Sequence, residues 1–106
     1  MSPARVFAAV DVGASGGRVM AGVVDGDAVS LHPVHRFPNG VQQLEGHLRW
    51  DVVSLYGHVL DGLTRLAIDH PQIESVGIDT WAIDYGLLDA AGDLLAMPIA
   101  HRDDRT

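Results

Sequence analysis

Residues 6–18 read VFAAVDVGASGGR, and this stretch decides the fold. The five apolar residues 6–10 are typical of a buried strand. The strand ends at Asp11, and a loop with three glycines and Ser15 leads to Arg18. Glycines let backbone N–H groups approach an anion closely, and a hydroxyl adds a further donor. The stretch therefore predicts a strand that ends in a phosphate-binding loop.

The charged residues at the two ends of this loop suit the same chemistry. Asp11 can orient a Mg²⁺ ion through its waters, and Arg18 can neutralise phosphate charge. The loop is neither a Walker A loop, because no Gly-Lys-Ser/Thr follows, nor a Gly-x-Gly-x-x-Gly turn, because a strand rather than a helix follows. The alternative is a tight turn stabilised by Asp11. The candidate nucleotide-binding residues are Asp11, Gly13, Ala14, Ser15, Gly16, Gly17 and Arg18.

Two further strands and a loop region follow. Residues 18–24 and 28–34 are β-prone and flank an Asp-Gly-Asp sequence, which predicts an antiparallel hairpin. Residues 35–49 are interrupted by proline and glycine and show no sustained period. They are predicted to be mostly loop with short extended pieces.

A helix is predicted after this region. Asp51 offers an N-cap, apolar residues then recur at the spacing of one helical face, and Pro71 ends the pattern. Gly57 and Gly62 each lower helix stability by about 1 kcal/mol relative to alanine. The helix therefore depends on packing against a sheet.

The remaining pattern is β-like. Residues 75–78 predict a buried strand that ends at Asp79, and residues 83–88 and 94–97 flank an Asp-Ala-Ala-Gly-Asp turn, which predicts a second hairpin. The predicted fold class is α/β, in the order β-β-β-α-β followed by a hairpin.

The segment that follows Asp79 is a second candidate site. Trp81 supplies a flat apolar wall that suits the C–H face of a sugar, and the small Ala82 leaves room for a ligand. Asp79 or Asp84 can accept hydroxyl protons. Because both candidate loops follow strand ends, we expect them at one edge of the sheet. The alternative is a buried tryptophan with two turn carboxylates. The candidate substrate-binding residues are Trp81, Ala82 and Asp84.

Composition excludes several classes of function. Fourteen acidic residues against seven lysines and arginines give a net charge of -7, so the chain repels nucleic acid. The absence of cysteine excludes thiolate metal sites and cysteine nucleophiles. The apolar run within residues 1–12 is too short for a signal peptide or a membrane span. This predicts a cytoplasmic protein without a membrane partner. Residues 101–106 are polar and predict a solvated segment.

Several stretches of the sequence resemble the FGGY carbohydrate kinases, and in particular their rhamnulokinase branch. They lie in the same order as in that family: residues 9–20, 35–40, 50–52, 77–81, Asp84 and 102–106. The first stretch is shared loosely by many FGGY kinases. The Ile-Asp-Thr-Trp sequence at 78–81 and the Arg-Asp-x-Arg-Thr sequence at 102–106 are more specific to the branch. The resemblance covers nearly the whole chain.

The resemblance implies a ribonuclease-H-like, actin-like ATPase domain that is incomplete, with residues 1–106 as the amino-terminal part of the first of two domains. It implies ATP, Mg²⁺ and transfer of the γ-phosphoryl group to the 1-hydroxyl of L-rhamnulose in rhamnose catabolism. Carried over by position, residues 14–18 line the ATP phosphates, Asp11 helps to place Mg²⁺ and Ala82 touches the sugar. Family members usually have glycine at the position of Ala82, so another ketose or a polyol stays open as the substrate.

The resemblance also implies that the general-base aspartate, the adenine pocket and the second domain lie beyond Thr106, so that no catalytic residue is assigned within this chain. Phosphoryl transfer needs both substrates positioned and enclosed. We therefore expect the isolated 106-residue chain not to phosphorylate sugar. The alternative function is a non-catalytic fragment that binds nucleotide or sugar.

Overall fold

The computed structural model describes residues 3–104, which form one sheet of four strands, a separate pair of strands and one long helix. The elements are β1 Arg5–Val12, β2 Gly16–Asp25, β3 Ala28–Pro38, β4 Val41–Leu44, β5 His47–Trp50, α1 Val52–Asp69 and β6 Val76–Thr80. The predicted α/β class is confirmed. No helix among these residues has the length and apolar character needed to cross a membrane.

The larger sheet has the order β3-β2-β1-β6. β2 is antiparallel to β1 and β3, and Gly26 takes a positive φ of 61° in the two-residue turn between β2 and β3. A glycine at the first position of such a turn is what a type II′ hairpin requires. α1 then carries the chain back, so that β6 pairs with β1 in parallel. The predicted first hairpin is confirmed.

The core lies between this sheet and α1. Val6, Ala8, Val10 and Val12 alternate along β1, so all four point to one face. That face is completed by buried side chains from the neighbouring elements, namely Val19, Ala21, Phe37 and Leu66. The apolar run that opens the sequence therefore becomes the central strand of the core.

The ends of α1 follow from local chemistry. The Asp51 Oδ1 atom accepts a hydrogen bond of 3.0 Å from the Ser54 amide, which confirms the predicted N-cap. At the other end the His70 amide donates to the Leu66 carbonyl at 2.8 Å, and the helix stops before Pro71. The N-cap thus fixes where the helix begins, directly after β5.

The two glycines of α1 have different environments. A Cβ atom at Gly57 would meet nothing within 4 Å, whereas one at Gly62 would overlap Val19 Cγ2 and lie 2.8 Å from Val19 Cβ. Val19 is fully buried, so it has no room to move away. Gly62 is therefore a point of close approach between the helix backbone and β2.

This difference gives a prediction for a matched pair of variants. Gly57→Ala should stabilise the protein by about 1 kcal/mol through helix propensity. Gly62→Ala should destabilise it by about 1–3 kcal/mol because the added methyl group overpacks the core. Urea denaturation of both variants measures the two effects, and equal shifts of the same sign would contradict the packing at Gly62.

The prediction that residues 35–49 are mostly loop is wrong, although the short extended pieces predicted there are present. β3 continues to Pro38, and β4 and β5 form a hairpin in which Val41 pairs with Trp50. Its turn is made by Glu45 and Gly46, whose φ angles of 52° and 81° are both positive. Two positive φ angles match the twist of a hairpin, so the strands pair although the turn lacks the usual Asn-Gly sequence.

Two further predictions need correction. β6 is exposed along its length, not buried, because α1 covers β1, β2 and β3 rather than β6. The predicted second hairpin is a turn without regular strands. Asp89 Oδ1 accepts hydrogen bonds from the amides of Ala91 and Asp93 within the turn. The segments on either side of the turn are joined by an isolated β-bridge between Leu88 and Leu94. No sheet face covers these leucines in the described part of the chain, so strand formation there gains little burial.

Candidate functional site

The two candidate loops lie at the same edge of the sheet. β1 and β6 are parallel neighbours with Val12 opposite Thr80, so the loop after each strand emerges at the same end. The Trp81 amide donates to the Val12 carbonyl at 3.1 Å, which joins the start of one loop to the start of the other. The expectation that both loops share one edge is confirmed, and this edge is where open α/β sheets bind ligands.

The glycine loop between β1 and β2 is closed by its own backbone. The Gly13 amide donates to the Gly16 carbonyl at 2.9 Å, and a Cβ atom on Gly13 would lie 2.9 Å from that same oxygen. Ser15, at the tip, is exposed. Beneath the loop, Phe37 packs against Gly17 so closely that a Cβ atom there would overlap its ring. Both glycines are therefore required by close approach.

A row of charges crosses the sheet next to this loop. Asp11 is opposite Arg18 on β2 and opposite Asp79 on β6, while Arg18 is opposite Arg36 on β3. Paired residues share a face, so all four side chains lie on the side away from α1. Arg18 Nη2 donates to Asp11 Oδ2 at 2.9 Å, and both side chains are about 40% exposed. The structure thus brings two guanidinium cations and two carboxylates into one row next to the glycine loop.

Asp84 is the centre of a hydrogen-bond cluster. Its Oδ2 atom accepts from Trp50 Nε1 at 2.7 Å, from Trp81 Nε1 at 2.8 Å and from His101 Nδ1 at 2.9 Å. The two indole rings lie 4.4 Å apart between centroids, and only 8% of the Asp84 side chain is exposed. Three segments that are distant in sequence are therefore fixed by one carboxylate oxygen. Asp84 Oδ1 has no hydrogen-bond partner among residues 3–104.

The cluster favours the ionised form of Asp84. Burial raises the pKa of this carboxyl, but the hydrogen bonds from His101, Trp81 and Trp50, together with electrostatic attraction to His101, outweigh burial and hold the pKa below its ordinary value. A carboxylate that is ionised accepts stronger hydrogen bonds than a neutral acid does. The negative charge is thus part of what keeps both tryptophans in place.

Trp81 and Asp84 line a shallow cavity together with Trp50 and Tyr85. Its volume of about 190 Å³ is below the roughly 300–1,000 Å³ of most small-molecule sites, so this cavity alone is too small to enclose a ligand of that kind. Ala82 is exposed and does not line this cavity. A larger cavity of about 270 Å³ lies between Asn39 and α1 and contains none of the predicted site residues.

Three curated proteins that are similar to this chain are all rhamnulokinases. The rhamnulokinase of Bacillus subtilis (strain 168) is 44% identical over 101 residues, which are 95% of this chain and 21% of that protein. The rhamnulokinase of Klebsiella pneumoniae (strain 342) is 48% identical over 104 residues, 96% of this chain and 21% of that protein. The rhamnulokinase of Bacteroides thetaiotaomicron is 43% identical over 100 residues.

This chain resembles the rhamnulokinases. The resemblance predicted from the sequence is confirmed, and the chain spans about one fifth of the length of the curated relatives it matches. No family model matches the chain. The mixed α/β architecture, with a four-stranded sheet and one helix, is consistent with an incomplete actin-like ATPase domain of the FGGY kinases.

Sequence reasoning missed the partners that hold these rhamnulokinase-like loops. Trp50 and His101 were given no role, although both bind Asp84. The expectation of a solvated segment at residues 101–106 is wrong at Asp103, which is 7% exposed and accepts hydrogen bonds from the Leu48 amide at 2.7 Å and from His47. Residues 105 and 106 lie outside the described residues. A lone carboxylate between other polar residues gives no signal of such distant partners.

Proposed function

We propose that residues 1–106 are the amino-terminal part of the first domain of an ATP-dependent ketose kinase of the rhamnulokinase type, which transfers the γ-phosphoryl group of ATP to the 1-hydroxyl of L-rhamnulose. The observation that carries the proposal is the parallel pairing of β1 with β6, which puts the glycine loop and the Trp81–Asp84 loop at one edge of the sheet. The rhamnulokinase relatives support the same reading. The predicted cytoplasmic location stays a prediction.

The glycine loop is proposed to hold the ATP phosphates. Ser15 is exposed at its tip, and the backbone there approaches an anion without hindrance from large side chains. Arg18 is half-exposed beside the loop. Its guanidinium can therefore neutralise negative charge on the phosphates while it stays paired with Asp11. Phosphoryl transfer relies on this kind of positioning and charge neutralisation more than on covalent chemistry by the protein.

Mg²⁺ fits the same edge. Magnesium in kinases is held by one or two carboxylates, several waters and the substrate phosphates. Asp11 and Asp79 are register partners on adjacent strands and supply carboxylates of the right kind, with Asp11 reaching the ion through water. The bound ion would neutralise charge on the phosphates. Asp11 would then share its negative charge between Arg18 and the hydrated ion, which keeps both near the glycine loop.

The second loop is proposed to hold the sugar. Trp81 is fixed by Asp84, so its ring offers a rigid wall of the cavity. Because three donors already occupy Asp84 Oδ2, a sugar hydroxyl would meet Oδ1 instead. Ala82 follows Trp81 and is exposed, and the resemblance implies that its methyl group touches the sugar where family members usually have glycine. The identity of the ketose therefore depends on how this methyl group is accommodated.

The complete gene product that carries this sequence should form ADP from ATP when L-rhamnulose is added. A panel of L-rhamnulose, L-fuculose, D-xylulose and a polyol, assayed by coupled ADP detection, measures the preference. A strong preference for another sugar would overturn the L-rhamnulose assignment, and no sugar-dependent ADP with any of them would overturn the kinase assignment.

The isolated 106-residue chain should show no sugar-dependent ADP formation above background. Half of a cleft neither encloses the substrates nor supplies the general base, and effective positioning is worth several orders of magnitude in rate. Thermal shift of the isolated chain with ATP and with sugar tests whether it still binds either ligand. Turnover by the isolated chain would overturn the proposal that catalytic residues lie beyond it.

A further inference from the structure

The glycine loop is anchored by a residue outside it. Within the loop the Gly13 amide donates to the Gly16 carbonyl, whereas the carbonyls of Gly13 and Ser15 accept hydrogen bonds from outside the loop. Both are reached by Asn39, which directly follows β3. The Asn39 Nδ2 atom donates to the Gly13 carbonyl at 3.0 Å, and the Asn39 amide donates to the Ser15 carbonyl at 3.4 Å.

The side-chain amide of Asn39 is oriented by two partners of opposite kind. Its Nδ2 donates to Gly13 O, and its Oδ1 accepts from the Gly40 amide at 2.9 Å. A flipped amide would set acceptor against acceptor at Gly13 and donor against donor at Gly40. The orientation is therefore determined by chemistry, and only an amide of this length meets both partners at once.

Asn39 also has a rigid support. The neighbouring Phe37 is 5% exposed and stacks on His58 of α1, with the ring centroids 5.2 Å apart and the planes nearly parallel. The end of β3 is thus fixed to the core on one side and to the glycine loop on the other. Because Asn39 is hydrogen-bonded to the carbonyls of Gly13 and Ser15, a small displacement of Asn39 would also displace these two carbonyls.

We propose that Asn39 is a positioning residue for the phosphate-binding loop. The inference rests on the proposed function, because it assigns Asn39 a role in the ATP half of the site without contact to ATP itself. Backbone N–H groups hold phosphate oxygens only when the peptide planes between them are correctly aimed. Asn39 holds two of the carbonyls in those planes, so it sets the direction of the N–H groups of Ala14 and Gly16.

Two substitutions in the full-length protein separate this role from others. Asn39→Ala removes the donor to Gly13 and the acceptor for Gly40. Asn39→Asp keeps the acceptor for Gly40 but replaces the donor by an oxygen that repels Gly13 O. Each should raise the KM for ATP about tenfold while the KM for the ketose stays within about twofold, since one hydrogen bond to a part-buried carbonyl is lost on the nucleotide side.

Asp51→Ala is the matched control. It removes a side-chain hydrogen bond of similar strength, at the α1 N-cap, whose donor is the Ser54 amide rather than a residue of the glycine loop. It should lower stability without a selective change in the KM for ATP. Hydrogen–deuterium exchange gives a second readout: amides of residues 13–16 should exchange faster in both Asn39 variants than in the wild type and in Asp51→Ala.

The outcomes are distinct. An unchanged KM for ATP in both variants would overturn the role of Asn39. An increase in Asn39→Asp alone would indicate a charge effect, and an increase in Asn39→Ala alone would indicate capping of Gly40; either would also overturn it. If the wild-type protein phosphorylated no ketose with ATP, the proposed function itself would fail, and that result is seen before any variant is compared.

Discussion

Asp84→Ala is expected to destabilise the full-length protein by about 3 kcal/mol and to remove most of the proposed sugar kinase activity, because two indole N–H groups lose their common acceptor. The Asp84 side chain is 8% exposed, so water cannot replace the carboxylate at both tryptophans without repacking. Trp81 would no longer be held as a fixed wall of the cavity. Urea denaturation and a kinase assay at saturating ATP measure the two effects.

Asp93→Ala is the control for this substitution. Asp93 lies on the nearby turn, its side chain is exposed, and its backbone rather than its carboxylate makes the turn hydrogen bonds. Its removal should change stability by no more than about 0.5 kcal/mol. If Asp84→Ala were as mild as Asp93→Ala, the cluster around Asp84 would not contribute to the fold.

The effect of Asp84 should depend on pH in a defined direction. Its pKa is lower in the folded chain than the ordinary value of about 4, so the ionised form is favoured by folding. The resulting stability is fully present above about pH 4 and is lost as the pH falls through the lower folded pKa. The stability difference between wild type and Asp84→Asn should therefore be larger above about pH 4 than in acid, where it shrinks. A difference that grows in acid would contradict the assignment.

The parts of the fold that could be predicted depend on near neighbours in the sequence. Alternation along residues 6–12 places the core face of β1, Asp51 caps the amide three residues on, and Gly26 suits the turn it makes. Each of these is a preference of a few residues for one local geometry. The meeting of both loops at one sheet edge followed from the order strand, helix, parallel strand.

The features that could not be predicted from the sequence depend on contacts between distant residues or on residues in turns that they rarely occupy. The β4–β5 hairpin turns at Glu45, a residue with no preference for positive φ, while the Asn39-Gly40 sequence that resembles a hairpin turn is used to anchor the glycine loop. Asp103 binds the Leu48 amide, which is 55 residues away in the chain. Nothing in the neighbourhood of such a residue tells which distant donor it will meet, so the partners appear only once the strands are placed.

Gly17→Ala is the second substitution with a large expected effect. A Cβ atom at this position would overlap the Cζ and Cε2 atoms of Phe37, and that ring is buried between Gly17 and His58. Overpacking at a buried contact of this kind lowers stability by about 1–3 kcal/mol. Because Gly17 is the second residue of β2, next to the glycine loop, the same strain should displace the loop and lower kcat/KM for ATP in the proposed kinase reaction by about tenfold or more.

Gly77→Ala separates this steric effect from the loss of a glycine as such. Gly77 also lies in a strand, but a Cβ atom there would meet nothing within 4 Å, so the variant should be neutral or slightly more stable.

A double variant gives the sharpest test. Phe37→Leu replaces the ring that would clash with the methyl group added by Gly17→Ala by a smaller side chain. The double variant should therefore be destabilised by at least about 0.5 kcal/mol less than the sum of the two single variants. Strict additivity would show that Phe37 is not what requires glycine at position 17, and the packing of β3 beneath the glycine loop would then have to be reassigned.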